Sequence, residues 1–124
     1  MDLQIFPSRD SSYVALQGRF ERSPVNVRVL AMALDDLDAF SPGTPTEEQR
    51  TAFVQHNREA IGAIVERKIA AGEVVEEDWY GRDAVGVRVT GADFEEYLRH
   101  PGNELSYAAF DPRVRPGFGP DGRF

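Results

Sequence analysis

The segment that most constrains the fold is residues 44–72, because it has the start signal, the stop signal and the apolar period of one long helix. Thr44 suits the N-cap, Pro45 suits the first helical position, and Glu47 lies where it completes a capping box. Gly72 suits the left-handed residue that ends a helix. The sequence therefore predicts a single helix of about 27 residues, roughly 40 Å long at the usual rise per residue.

The apolar residues of this segment fall on two adjoining ridges instead of one stripe. The first ridge contains Phe53, Ala60, Ile64 and Ala71, and the second contains Val54, Ile61, Val65 and Ile69. Together they cover about half the helix circumference, which is wider than the ~100° stripe of a helix on one surface. We expect the second ridge to pack on a sheet and the first to meet the C-terminal arm or a second subunit. Asn57 lies within the apolar arc, so we expect it to be buried and bonded to nearby backbone, or to belong to a functional site.

Segments with alternating apolar and polar residues predict the sheet. Such segments occur at residues 3–6, 13–20, 25–31 and 85–89. Residues 21–24 have the length and composition of a hairpin turn between two of them. A small, mainly antiparallel sheet of three or four strands is therefore predicted to pack on the long central helix, which places the chain in the α+β class.

Shorter helical segments are predicted on either side of the long helix. Residues 33–40 have apolar residues at helical spacing and predict a short helical turn. Thr90 and Asp93 match a capping box, which predicts a second, short C-terminal helix at residues 91–100. Its predicted inner face consists of Phe94, Tyr97 and Leu98.

Length and composition indicate one globular domain followed by an extended arm. The 124 residues contain 41% hydrophobic and 28% charged side chains, which are ordinary globular values. We assign residues 1–102 to a single α+β domain and residues 103–124 to a C-terminal extended arm. The arm is rich in proline and glycine but carries large apolar residues, so we expect it to pack on its own domain or on a neighbouring subunit.

The charge and the absence of cysteine exclude several classes of site. Without cysteine the chain has no disulfide, no thiolate metal site and no thiol nucleophile. The net charge of −7 argues against general nucleic-acid binding and against an anionic membrane surface. No apolar run reaches the roughly 18 residues of a membrane helix. These observations predict a cytoplasmic protein with no nucleic-acid partner and no membrane.

No pattern of reactive side chains predicts catalysis. His56 and His100 lie on predicted helices, where solvent or structural roles are expected. Asp35, Asp36 and Asp38 resemble a divalent-cation cluster, but three acids in one helical turn do not converge on one point. We therefore predict no cofactor, no metal and no catalytic residue, and we keep as an alternative a small enzyme that uses either histidine with a carboxylate.

Several stretches of the chain resemble the pattern of one known family. They are Ile5-Phe6-Pro7, residues 27–37, the run AFVQHNREAIGAIVERKIAAG at residues 52–72, and Val87-Arg88-Val89-Thr90. Spanning residues 3–94, they resemble a family of small bacterial proteins known as domain of unknown function 1488. The resemblance implies a compact α+β fold and brings no agreed activity, so it assigns no catalytic residue. The C-terminal arm extends beyond the family's usual short length.

These patterns favour a non-enzymatic accessory or protein-interaction domain that acts as a homodimer. The rings of Trp79 and Tyr80 either cap the core while their segment pairs as a strand, or form an exposed aromatic patch for a partner. The candidate binding residues are Phe53, Asn57, Ile64, Trp79, Tyr80, Tyr107, Phe110 and Phe118. A further alternative is an acidic decoy that binds a basic protein, because the chain carries a charge of −7.

Overall fold

The computed structural model describes residues 1–6, 8, 10–35 and 46–106, without the side chain of Trp79. The elements in chain order are β1 (Gln4–Ile5), β2 (Tyr13–Phe20), β3 (Ser23–Leu30), α1 (Ala31–Asp35), α2 (Glu47–His56), α3 (Arg58–Ala70), β4 (Val75–Trp79), β5 (Arg82–Val89) and α4 (Gly91–Arg99). The strands form one five-stranded sheet in the order β1-β2-β3-β5-β4. The helices pack on one face of this sheet, so the chain is α+β, as its sequence periods predicted.

The antiparallel hairpin of β2 and β3 has a shorter turn than its sequence predicted. Only Glu21 and Arg22 lie between the strands, and Glu21 has a positive φ of 57°. Ser23 already pairs with Phe20, so the predicted turn at residues 21–24 is wrong by two residues. The tight two-residue connection fixes the register of the hairpin.

The short helix after β3 also begins earlier than predicted. Ala31, which the alternating pattern assigns to the third strand, is the first residue of α1, and its N–H donates to the carbonyl oxygen of Ser12 at 2.8 Å. The last described residue of this helix is Asp35. Residues 36–40 of the predicted turn lie outside the described residues.

The pairing of β5 with β3 is parallel, which the sequence did not predict. Val25 lies beside Val85, Val27 beside Val87 and Val29 beside Val89, all facing the helices. The prediction of three or four mainly antiparallel strands is therefore corrected to a mixed sheet of five. The connection permits this direction, because the chain between these strands contains α1, α2, α3 and β4 and is long enough to return to the starting end of the sheet.

The predicted single helix at residues 44–72 is instead two helices, α2 and α3, which meet at Asn57. The Asn57 backbone N–H donates to the carbonyl oxygens of Phe53 and Val54, and its Nδ2 donates to Phe53 O at 2.9 Å. A side chain that enters the carbonyl ladder interrupts the regular i to i−4 pattern. The break therefore lies at one asparagine, whose side chain bonds within this carbonyl ladder.

The first of these helices begins at Glu47, because Thr46 is its N-cap. Thr46 Oγ1 accepts a hydrogen bond from the Gln49 N–H at 3.1 Å, and Gln49 Oε1 accepts one from the Thr46 N–H at 2.9 Å. The spacing from Thr44 to Glu47 fits a capping box equally well, but Thr46 is extended and precedes the helix, so the predicted start is wrong. Thr44 itself lies outside the described residues. The predicted end is confirmed, since Gly72 has a φ of 77°.

The core contains most of both apolar ridges of the predicted long helix, whereas Ala71 at the end of the first ridge is exposed. Phe53 of the first ridge packs edge-on against Phe94 of α4, with 6.2 Å between the ring centroids. Leu105, at the start of the predicted arm, is buried in the same cluster. The first ridge is thus covered by α4 and by the described part of the arm, residues 103–106, from the same chain. Residues 107–124 lie outside the described residues.

A buried ion pair joins α3 to α4. The Nζ of Lys68, the single lysine of the chain, donates to Asp93 Oδ2 at 2.8 Å and to the carbonyl oxygen of Arg88 at 2.7 Å. Asp93 Oδ2 also accepts hydrogen bonds from the N–H and the hydroxyl of Thr90, which confirms the predicted capping box of α4. The pair therefore joins two helices and the end of β5 at one point.

Candidate interaction surfaces

The sheet has a second face, here called the outer sheet face, on which no described element packs. Residues that pair in register lie on the same face of the sheet, so the pairing identifies the residues of the outer sheet face. Gln17 pairs with Asn26, Asn26 with Gly86, and Gly86 with Val75. This face is polar at its centre, whereas the helix-facing side is made of valine, leucine and isoleucine.

A hydrogen-bonded network crosses the outer sheet face from β2 to β4. Gln17 Nε2 donates to Asn26 Oδ1 at 3.3 Å, and Asn26 Nδ2 donates to Glu77 Oε1 at 3.2 Å. Arg28 Nη1 donates to Glu77 Oε2 at 2.8 Å. The Arg28 guanidinium also lies 5.6 Å from the centre of the Tyr13 ring, a cation–π distance. The network therefore fixes the side chains of three strands in one arrangement.

Glu77 reaches this network because position 86 is a glycine. Glu77 starts on β4 and crosses β5 to reach side chains of β3. A Cβ at Gly86 would lie 2.6 Å from Glu77 Cδ and would overlap Oε2, so any larger residue would displace the carboxylate. Close approach of a side chain, and not backbone conformation, thus requires glycine here.

The network sets the ionisation of both charged members. Burial raises the pKa of Glu77, but the hydrogen bonds from Arg28 and Asn26 and the charge of Arg28 outweigh it, so the pKa lies below its usual 4.5. The hydrogen bond to Glu77 raises the pKa of Arg28 despite partial burial. Glu77 is therefore a carboxylate at neutral pH, and it neutralises the arginine beside it.

We predict that Glu77→Gln destabilises the chain at pH 7 and that the loss is smaller at pH 3. A carboxylate with a depressed folded pKa adds stability above its unfolded pKa, and this stability is lost as the pH falls through the folded pKa. The expected loss at pH 7 is about 1–2 kcal/mol, the usual size of a hydrogen bond to a charged group. Urea unfolding at both pH values measures it, with Glu76→Gln on the same strand as the control. An equal loss at pH 3 and pH 7 would contradict the prediction.

An apolar groove between α1 and α4 forms a separate surface, here called the α1–α4 groove. It has a volume of about 420 Å³. Its apolar lining includes Leu30, Met32, Ala33, Ala92, Phe94 and Leu98. Met32 is 75% exposed and Leu98 is 41% exposed, so large apolar side chains meet solvent on both sides. The prediction that Leu98 belongs to the inner face of α4 is therefore wrong, whereas Phe94 is buried as predicted.

The predicted binding residues of the long helix lie inside the molecule. Phe53, Asn57 and Ile64 are at most 4% exposed, so they form the core and not a surface. Asn57 bonds backbone, as expected for a buried amide. Besides Phe53 O, its Nδ2 donates to Ser106 O at 2.8 Å, and its Oδ1 accepts from the Ser106 N–H at 2.6 Å. These residues therefore join the helices to the start of the arm.

The remaining predicted binding residues have different outcomes. The segment around Trp79 does pair as a strand, β4, but Tyr80 has a positive φ of 51° and is 85% exposed. The interpretation in which the Tyr80 ring caps the core is therefore wrong. Tyr107, Phe110 and Phe118 lie outside the described residues, as does the Trp79 side chain.

The histidines do not form a catalytic arrangement in the described part of the chain. His100 Nε2 is 3.8 Å from Glu96 Oε1, beyond hydrogen-bond distance. His56 is exposed on α2 and borders a depression of about 530 Å³, to which Glu59 and Glu104 also contribute. Of the three acids near α1, only Asp35 is described, and it pairs with an arginine. The described residues contain no group of three or more His, Asp or Glu side chains that could hold a metal.

The chain was compared with known proteins. No family model, no curated protein and no solved structure matches it. Among the described residues, no helix has the length and apolar character needed to cross a membrane. The indication of function therefore comes from the two surfaces.

Neither surface was predicted from the sequence. Met32 belongs to a helix that begins earlier than predicted, so the sequence pattern did not predict that its side chain lies outside the core. Glu77 and Arg28 are 49 positions apart and meet only because β5 lies between their strands. The one available signal was Gly86 within an alternating valine pattern, which indicates a close approach to the sheet.

Proposed function

We propose that this chain is a non-enzymatic protein-interaction domain that acts as a homodimer through the α1–α4 groove. The observation that carries the proposal is the exposure of Met32 and Leu98 beside one apolar groove. Single exposed apolar residues are ordinary, whereas two large ones around a groove are typical of a binding site. A cytoplasmic location and membership of the domain of unknown function 1488 family belong to the same proposal.

The groove suits a second copy of the same chain because it carries both a projecting side chain and a recess. In a dimer with twofold symmetry the same patch meets itself, so each Met32 would enter the groove of the other subunit. Methionine is unbranched and flexible, which lets it fill an irregular apolar recess. The same surface therefore supplies both the projecting side chain and the recess that receives it.

Other surfaces of the described residues are poorly suited to self-association. The edge strand β4 carries Glu76, Glu77 and Asp78 in succession. Antiparallel pairing of two such strands about Glu77 would place Glu76 of each copy opposite Asp78 of the other, and like charges directly opposite are destabilising. The outer sheet face carries several arginines. In a twofold dimer through this face, the arginines of one copy would face those of the other, and their like charges would repel.

The expected affinity is modest. Full burial of a Met or Leu side chain contributes about 1.5–3 kcal/mol, and a twofold contact would bury two of each. Association costs at least ~4 kcal/mol, so at most ~8 kcal/mol remains, which corresponds to a Kd of about 1 µM. Because these side chains are already partly covered, we expect weaker binding, with a Kd of roughly 100 µM.

We predict that Met32→Glu abolishes dimerisation. A carboxylate in the groove would lose its hydration without gaining a partner, which raises the Kd at least about 100-fold. Sedimentation equilibrium between about 5 and 500 µM measures the dimer, and circular dichroism checks that the variant is folded. The matched control is Val75→Glu, since Val75 is an exposed apolar residue on β4, away from the groove.

The wild-type chain and the Val75→Glu variant should dimerise alike. A wild-type chain that stays monomeric throughout this range would overturn the proposal of a homodimer. If a folded Met32→Glu variant dimerises as well as the wild-type chain, the α1–α4 groove is not the dimer interface.

A further inference from the structure

The outer sheet face has a charge opposite to that of the whole chain. Its register and alternation place Arg19, Arg28, Arg82 and Arg88 on this face, and Glu77 is its one acid among the described strand residues. The Glu77 carboxylate is occupied by Arg28 at 2.8 Å. The other three arginines are exposed and form no ion pair within the described residues.

This arrangement is hard to explain by folding alone. Glu77 neutralises Arg28, but Arg88, its neighbour in the register, has no ion pair among the described residues, and neither have Arg19 and Arg82. The acids of α2, α3 and α4 lie on the opposite side of the sheet and do not offset them. In a chain with a net charge of −7, unpaired arginines gathered on one face indicate a negatively charged ligand.

The shape of the face indicates an extended ligand. Between Arg82 and Arg88 on β5, Ala84 and Gly86 are buried and the Glu77 side chain crosses over Gly86, so on this face the two arginines are the exposed positions of the strand. Arg82 and Arg88 stand at opposite ends of β5, about 20 Å apart at the usual strand rise. An extended peptide of about seven residues covers the same distance, and its alternate side chains point to the same side.

We propose that the outer sheet face binds an extended acidic segment of a partner protein, whose alternate carboxylates pair with Arg82, Arg88 and Arg19. The half-buried amides of Gln17 and Asn26 lie between these arginines, and the Gln17 amide oxygen offers a polar contact to the peptide backbone. The inference rests on the proposed function as an interaction domain, but it does not depend on the dimer.

A single-stranded nucleic acid is the competing anionic ligand, and the face suits it less well. Such binders stack successive bases on aromatic side chains along a positively charged groove. The aromatic side chains described here, those of Phe6 and Tyr13, lie together near one end, and the Tyr13 ring is already approached by Arg28. The exposed acids elsewhere on the chain would also repel a long polyanion more than a short peptide.

The test measures binding of a fluorescein-labelled seven-residue peptide, with Glu at positions 1, 3, 5 and 7 and Ser between them, by anisotropy at low salt. The Arg82→Gln/Arg88→Gln double variant should weaken binding about five- to tenfold, as expected for the loss of two exposed ion pairs. The Arg99→Gln variant is the control, because Arg99 is an exposed arginine of α4, on the other side of the sheet, and should change the Kd less than twofold.

The proposal would be overturned by each of three results. In the first, the peptide does not bind. In the second, a peptide with Gln in place of Glu binds equally well. In the third, a twelve-nucleotide thymine strand binds more tightly than the peptide, and the same double variant weakens its binding. The folded Met32→Glu variant should still bind the peptide, which separates this inference from the dimer. Loss of peptide binding in the folded Met32→Glu variant would also count against an independent site on the outer sheet face.

Discussion

Replacing Lys68 by Met is expected to destabilise the chain by about 3 kcal/mol or more at pH 7, since it leaves a buried carboxylate without its counter-ion. Lys68 and Asp93 are each 8% exposed, and the Lys68 ammonium also donates to the carbonyl oxygen of Arg88. Arg67 lies 3.6 Å from Asp93 Oδ1 and offsets part of the loss, so we expect the lower end of the range for a broken buried pair.

The pH dependence identifies the cause of this loss. Burial raises the pKa of Asp93, but the hydrogen bonds from Lys68 and Thr90 and the charge of Lys68 hold it below 3.8. The stability that the pair contributes is therefore present above that pH and is lost as the pH falls through the folded pKa. The difference between wild-type and Lys68→Met should shrink at pH 3.

Urea unfolding at pH 7 and pH 3 measures this effect. Arg99→Gln is the control, because the Arg99–Glu96 ion pair is exposed and its loss should change the free energy of unfolding by less than ~1 kcal/mol. The Lys68→Met/Asp93→Asn double variant should lose less than the sum of the single variants, since the uncompensated charge is gone. A Lys68→Met variant within 1 kcal/mol of wild-type at pH 7 would show that the ion pair is not needed for stability.

The Asn57→Ala variant is expected to lose about 2–4 kcal/mol and to release the start of the arm. The Asn57 side chain makes three hydrogen bonds to backbone, two of them to Ser106 and one to Phe53. Truncation would leave these backbone groups without their side-chain partner in a largely buried setting, and each loss costs ~1 kcal/mol or somewhat more. Leu105, beside them in the core, should become more exposed.

Hydrogen exchange at residues 104–106 separates local release from a general loss of stability. We expect exchange there to accelerate more than in β3, whose amides report global unfolding. Asn103→Ala is the control, because Asn103 Nδ2 makes a single hydrogen bond to Tyr97 O and should cost less. Uniform acceleration throughout the chain would count against a specific role of Asn57 in holding the arm.

The sequence alone determined the elements whose signals are local. The β2–β3 hairpin, the capping box of Thr90 and Asp93, and the helix end at Gly72 follow from short-range chemistry and occur where the residues indicated. The burial of Asn57 was also predictable, because its position within an apolar arc is a property of the helical period.

The tertiary structure decided everything that depends on distant residues meeting. Asn57 interrupts the helix while it bonds Ser106, 49 positions away, and β5 returns parallel to β3 through a connection whose course no local pattern encodes. The outer sheet face exists because register brings arginines from β2, β3 and β5 together, in a chain whose total charge suggested the opposite. Periodicity states which side of a strand is apolar, but only packing determines which strands are neighbours and which side chains share a surface.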